Sequence, residues 1–248
     1  MNRSILKYLI PIALACTPLL AHAAPGYSLT TLTVLPANVP KVIAATDKMM
    51  ASATGQKFKG RLLLLQHVAD GTDPASISIV SIYKSAAELE VYGNLMQDDP
   101  ARIEYLNTVV PVAQLQLTAR TTTIRSWGDI NDTDTVWVGH YLVVKDLPAL
   151  MTAMDAWQSS PMGKKFPGQG HLSAITFGGA APGTPTHVVS LGYASIAEME
   201  AYDDATAKDP DWAKFLTAVG PISTHLGADL SRTLKTWGTA TMKSLSAP

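Results

Sequence analysis

The feature that most constrains this chain is that most of it is written twice. Tyr83-Lys84-Ser85-Ala86-Ala87-Glu88-Leu89-Glu90-Val91-Tyr92 is matched 110 residues later by Tyr193-Ala194-Ser195-Ile196-Ala197-Glu198-Met199-Glu200-Ala201-Tyr202. The register holds through Asp99-Pro100 and Asp209-Pro210, Leu106 and Leu216, Val109 and Val219, and Pro111 and Pro221, to Trp127-Gly128 and Trp237-Gly238. Upstream the match continues at an offset of 108: Gly55-Gln56-Lys57-Phe58 against Gly163-Lys164-Lys165-Phe166, Asp47 against Asp155, and Pro40 against Pro148. The two-residue difference falls before Thr186, in the stretch containing Gly178-Gly179-Ala180-Ala181-Pro182-Gly183, where a surface loop absorbs an insertion at little entropic cost. A chain repeated at this period is expected to fold as two copies of one unit.

Each copy has the same order of elements. Strands are expected at Thr30–Leu35 and Val136–Val144, where apolar and β-branched residues cluster. First helices are expected at Val39–Ala53 and Pro148–Gln158, with Pro40 and Pro148 suited to a first helical turn. Second strands follow at Arg61–Val68 and His171–Phe177, and third strands at Ile77–Tyr83 and His187–Tyr193. A second helical region then leads to a last strand, about Leu115–Trp127 and His225–Trp237. The order β-α-β-β-α-β is that of the ferredoxin-like unit. Ser85-x-x-Glu88 and Ser195-x-x-Glu198 read as capping boxes, and Asp99-Pro100 and Asp209-Pro210 as an N-cap followed by a first-turn proline.

This pattern resembles the dimeric α/β-barrel superfamily, which includes antibiotic-biosynthesis monooxygenase-like, EthD-like, chlorite dismutase-like and dye-decolourising peroxidase-like proteins. The resemblance rests on β-α-β-β-α-β in each half and on the strand-to-helix steps Tyr83–Glu88 and Tyr193–Glu198. It implies an α+β fold in which two tandem ferredoxin-like repeats, 24–130 and 131–248, form an intramolecular pseudo-dimeric α/β barrel. It also implies a cavity inside that barrel or between a sheet and its helices. The Gly-x-x-Asp-Gly stretch of dye-decolourising peroxidases is absent, since Val68-Ala69-Asp70-Gly71 keeps only the last two residues. The Asn/Trp/His trio of haem-degrading members has no counterpart.

Residues 1–23 read as a secretory signal peptide. Arg3 and Lys7 make a basic start, Ile5–Leu20 is mostly apolar though broken by Pro11 and Pro18, and Ala21-His22-Ala23 is a small-residue cleavage site. Cleavage after Ala23 predicts a soluble periplasmic or secreted protein with no membrane segment. It also removes Cys16, the sole cysteine, and with it any disulfide or thiol nucleophile. The near balance of 19 Lys+Arg and 20 Asp+Glu excludes a protein whose main partner is nucleic acid. The 47% hydrophobic and 16% charged composition excludes a disordered chain.

No P-loop, dinucleotide-binding glycine fingerprint or G-x-S-x-G elbow occurs, and no motif requires a cofactor. His67, His140, His171, His187 and His225 face Phe177, Leu32, Leu63, Ile77 and Leu115 across the repeat. Four of the five lie on or beside strands of the second copy, which makes His140, His171, His187 and His225 candidate metal ligands. The opposing reading is that they stand where leucines stood: alternation sets His140 with Val138 and Leu142, and His187 with Val189, Leu191 and Tyr193, both apolar faces. Tyr83 and Tyr193 are expected to line a cavity with Trp137 and Tyr141, joined by His140 and His187 as candidate ligand-binding residues. Trp127 and Trp237 read as core or seam residues. The expected function is binding of a small apolar or aromatic molecule. The alternative is a barrel enzyme, either a cofactor-independent oxygenase or a haem- or metal-dependent protein using the second-copy histidines. A second copy of the chain is a further expected partner, as a homo-oligomer.

Overall fold

The computed structural model describes residues 25–71, 74–178 and 183–246. The signal-peptide reading, with Cys16 and the Ala23 cleavage site, lies outside them, as do residues 179–182. The first half runs β1 (Gly26–Val34), α1 (Val39–Ala51), β2 (Arg61–Ala69), β3 (Ile77–Tyr83), α2 (Ala86–Met96), α3 (Pro100–Val109) and β4 (Ala113–Gly128). The second runs β5 (Val136–Val144), α4 (Leu147–Ser159), β6 (Gln169–Phe177), β7 (His187–Tyr193), α5 (Ile196–Thr206), α6 (Pro210–Val219) and β8 (Ser223–Trp237), followed by a short α7 (Met242–Ser246). No helix of the described residues is long and apolar enough to cross a membrane.

All eight strands are antiparallel and close into one barrel in the order β1-β3-β2-β8-β5-β7-β6-β4. Each half supplies four neighbouring strands in the ferredoxin-like order, β4-β1-β3-β2 and β8-β5-β7-β6. Closure comes from β4 and β8, which are longer than the other strands. Each pairs with its own half along one stretch and with the other half along the next. In β4, residues 113–120 pair with β1 and 120–128 with β6; in β8, residues 223–232 pair with β5 and 230–237 with β2. Among the described residues no strand edge is left unpaired, which removes the template for edge-to-edge association.

The helices start where the sequence places their caps. Ser85 Oγ accepts the Glu88 amide and Ser195 Oγ the Glu198 amide, while Glu198 reaches back to the Ala194 amide. Asp99 caps α3 through the amides of Ala101 and Arg102, and Asp209 caps α6 through those of Asp211 and Trp212. The helices cover the outer face of the barrel. Val42 of α1 and Val109 of α3 pack on Leu32, Val34, Leu64 and Ile77; Leu150 and Met154 of α4, with Phe215 and Val219 of α6, pack on Leu172 and Val189.

The ladders correct the residue matching at two histidines. Gly26 pairs with Tyr83 and Val136 with Tyr193, so β5 follows β1 by 110 residues rather than 108. His140 therefore occupies the place of Thr30, not Leu32. The first half carries its two extra residues in the link Leu35–Asn38, a single 3-10 turn that has no room in Lys145-Asp146. Likewise β6 follows β2 by 108, which sets His67 against Ile175 rather than Phe177.

Candidate functional site

Strand alternation sends every second side chain inward. In a barrel of eight strands the interior is just wide enough to be filled by side chains or to hold one small ligand. Here many inward positions are small: Gly139, Ser78, Ala119, Thr121, Thr123, Ser190 and Ser231. The interior is consequently hollow, with a cavity of about 310 Å³ touched by residues from all eight strands. Its wall is mainly apolar and includes Leu29, Leu63, Leu65, Val80, Leu117 and Trp137. α7 lies across it through Met242 and Leu245, both buried. That helix is held by Asp132, which accepts the Met242 amide at 2.8 Å and pairs with Arg61 at 2.5 Å.

The polar groups of the interior are few and gathered. Asp229 of β8 sits opposite Gly139 of β5, and a Cβ on Gly139 would collide with Asp229 Oδ1. That oxygen is buried and has no hydrogen-bond partner. Burial raises the Asp229 carboxyl above the ordinary carboxylate range, opposed by a hydrogen bond from Tyr141 and by the nearby His67. Burial likewise pushes the Tyr27 phenol up to about 12, against hydrogen bonds with Ser190 and Thr121. On β2, His67 points inward behind Ser78, with Nε2 2.7 Å from Ser78 Oγ and Nδ1 3.0 Å from Asp70 Oδ2. On β6, His171 is held at Nδ1 by Ser126 (2.8 Å) and at Nε2 by Gln169 (3.3 Å), whose amide donates to Asp134. Burial pushes His171 down to about 4, so it is a neutral ring at pH 7.

The residues singled out in the sequence separate onto two faces of the barrel wall. Trp137 and Tyr141 line the cavity, and so does His171. Tyr83 and Tyr193 do not. Both are buried on the helix side, Tyr193 edge-on to Phe166, because a position paired with Gly26 or Val136 alternates away from the inward Tyr27 and Trp137. His140, His187 and His225 also face the helix side. A bulge at Leu226 shifts the register of β8 so that His225 pairs with Leu142 and comes to the face of His140. Their rings meet, Nδ1 of His140 lying 3.3 Å from Nε2 of His225. Burial, then His225, pushes His140 down to about 4, and burial lowers His187. His187 flanks the same Leu142 from β7 and contacts Thr186. His171 lies on the opposite face, so the four candidate metal histidines do not share one site. Among the described residues no group of three or more His, Cys, Asp or Glu is placed to hold a metal ion. Sequence reasoning missed Tyr27, Ser78, His67 and Asp229 as interior groups, and Asp70 as the turn residue paired with His67. The available signal was alternation: 27, 78, 67 and 229 share parity with the small or apolar residues that face inward on the same strands.

No family model and no curated protein sequence matches the chain. Solved structures do match in shape. A monooxygenase-like protein from Lactobacillus acidophilus superposes with a TM-score of 0.57 at 12% identity, covering 88% of this chain and 97% of its own. An anthrone oxidase-like protein superposes at 0.56 with 13% identity, covering 87% and 93%. A chlorite dismutase-like protein superposes at 0.52 with 9% identity, covering 86% and 95%. All have the dimeric α/β-barrel architecture, and at these identities the likeness establishes the fold alone.

Proposed function

We propose that this protein binds one small, largely apolar molecule inside its barrel. The observation that carries this reading is the hollow interior, about 310 Å³, walled by leucine, valine and tryptophan and supplied with a few converging polar groups. An apolar body would lie against Leu65, Val80 and Trp137, displacing poorly bound water, while one polar end would meet Tyr141, Asp229 or Ser78. The volume suits a single ring system or a short acyl chain. The repeated sequence and the matching halves support descent from a duplicated single unit, with the first 23 residues acting as an export signal.

The test is titration of the full chain with 2-naphthol, followed by fluorescence, together with an Ala119→Phe variant that fills the interior. One saturable site in the parent chain and its loss in the folded variant are the expected results. Equal binding by both proteins would place the ligand elsewhere. Native mass spectrometry of protein isolated without denaturation would show any molecule retained by the barrel and the number of chains in the assembly. An enzymatic reading is favoured by one specific arrangement in the wall, the contact of a buried histidine with a cavity-facing serine.

A further inference from the structure

We propose that Ser78, His67 and Asp70 form an acyl-transfer centre opening into the barrel cavity, acting on small carboxylic esters with an apolar acyl group. The inference rests on the cavity reading for its substrate class. The geometry is that of an activated hydroxyl. Asp70 Oδ2 lies 3.0 Å from His67 Nδ1, and a carboxylate there accepts a hydrogen bond from Nδ1–H and fixes the tautomer. Nε2 is then left as the acceptor, 2.7 Å from Ser78 Oγ. Ser78 is the member that touches the cavity. His67 sits behind it with its side chain 6% exposed, shielded from bulk water.

Three strands build the arrangement. His67 is near the end of β2, Ser78 near the start of β3, and Asp70 in the turn between them, next to Gly71 with φ +65°. The turn folds the aspartate back beneath the imidazole only three residues away. In β1, Thr31 is directly opposite Ser78, and its Oγ1 is buried and has no partner. Paired positions bring side chains to about 5 Å. An unused hydroxyl beside the nucleophile is a donor for the oxygen that becomes negative during attack.

The steps balance without a cofactor. Ser78 Oγ attacks the ester carbonyl carbon and its proton passes to His67 Nε2. The tetrahedral oxyanion accepts from Thr31. Collapse breaks the bond to the alkoxy oxygen, which leaves as the alcohol with the proton from Nε2. Water then attacks the Ser78 acyl ester, passing its proton through Nε2 back to Ser78 and releasing the acid. Leu29, Leu65, Val80 and Leu117 form the wall that an apolar acyl chain would meet. His171 offers no second centre, because its ring contacts an amide in place of a carboxylate.

The experiment is reaction of the full chain with a small alkyl fluorophosphonate, read by intact mass and peptide mapping, alongside 2-naphthol titration of each protein. In this reaction the Ser78 oxygen–phosphorus bond forms, fluoride leaves and His67 takes the proton. One phosphonyl group on Ser78 is expected, with none on Ser78→Ala. His67→Gln and Asp70→Asn retain the serine and should label roughly 100-fold or more slowly, and Thr31→Val about 100-fold more slowly. All four should keep the circular dichroism of the parent. Absence of label in a parent chain that binds 2-naphthol, or equal label in Ser78→Ala, would overturn the centre and leave the cavity reading intact. Label at Ser78 without naphthol binding would uphold the centre and remove the apolar-cavity reading.

Discussion

Side chains on this barrel divide into those that cover its outer face and those that decide what its interior can hold. His140 belongs to the first group. Its imidazole is pushed down to about 4 by burial and by His225, whereas the unfolded chain takes up a proton near 6.5. Between those values the unfolded state binds more protons, so this residue removes stability as the pH falls from 6.5 through about 4. His140→Leu should flatten the acid limb of urea midpoints measured from pH 7 to pH 4, and an unchanged slope would contradict the burial assigned to the ring. Asp229 gives the opposite sign. Its folded-state carboxyl is raised, so the ionised form destabilises the fold as the pH rises above 3.8. Asp229→Asn should raise the urea midpoint at pH 7, and the gain should shrink towards pH 4. Gly139→Ala pushes a Cβ into Asp229 Oδ1 and should destabilise by about 1–3 kcal/mol in the same assay.

At the scale of elements, the halves are stitched at two equivalent seams. Lys235 of β8 pairs with Asp47 of α1 at 2.7 Å, and Arg125 of β4 pairs with Asp155 of α4, so each cation from one half meets the first helix of the other. Trp237 adds a 2.7 Å hydrogen bond from its indole N–H to Asp47, and Trp127 lies on β6 so closely that Gly170 has no room for a Cβ. These partners hold the Asp47 carboxyl below its ordinary 3.8, Lys235 contributing most and Trp237 next. Its contribution is therefore present above pH 3.8 and lost as acid titrates it. Because the carboxylate is solvent-exposed, Asp47→Ala should cost only about 1 kcal/mol at pH 7 in urea unfolding, with less difference below pH 3.8. Much of this level was legible in the sequence. Asp47 against Asp155 and Trp127 against Trp237 are paired positions, and the capping serines and aspartates sit where amide donors need them. The bulge at Leu226 was not legible. It depends on how β8 serves two neighbouring ladders at once, and it alone brings His225 to His140.

For the whole molecule, the repeat predicted two copies of one unit, and the resemblance to the dimeric α/β-barrel superfamily implied that the two close into a barrel. The resemblance left two places for a cavity, inside the barrel or between a sheet and its helices, and the sequence did not choose between them. Whether the interior fills depends on the summed volume of alternate residues on eight strands, and Gly139, Ala119, Ser78 and Ser190 leave that sum short. The helix-side placement of Tyr83 and Tyr193 was missed for a related reason: the aromatic positions were read without the strand parity that separates them from Trp137 and Tyr141. The most direct measurement of the central claim is a crystal structure of the full chain soaked with bromo-2-naphthol, located by the anomalous signal of bromine. A single bromine peak inside the barrel, against Leu65, Val80 or Trp137, is the predicted result. A peak confined to the helix side near His140 and His225, or an interior closed by its own side chains, would contradict it.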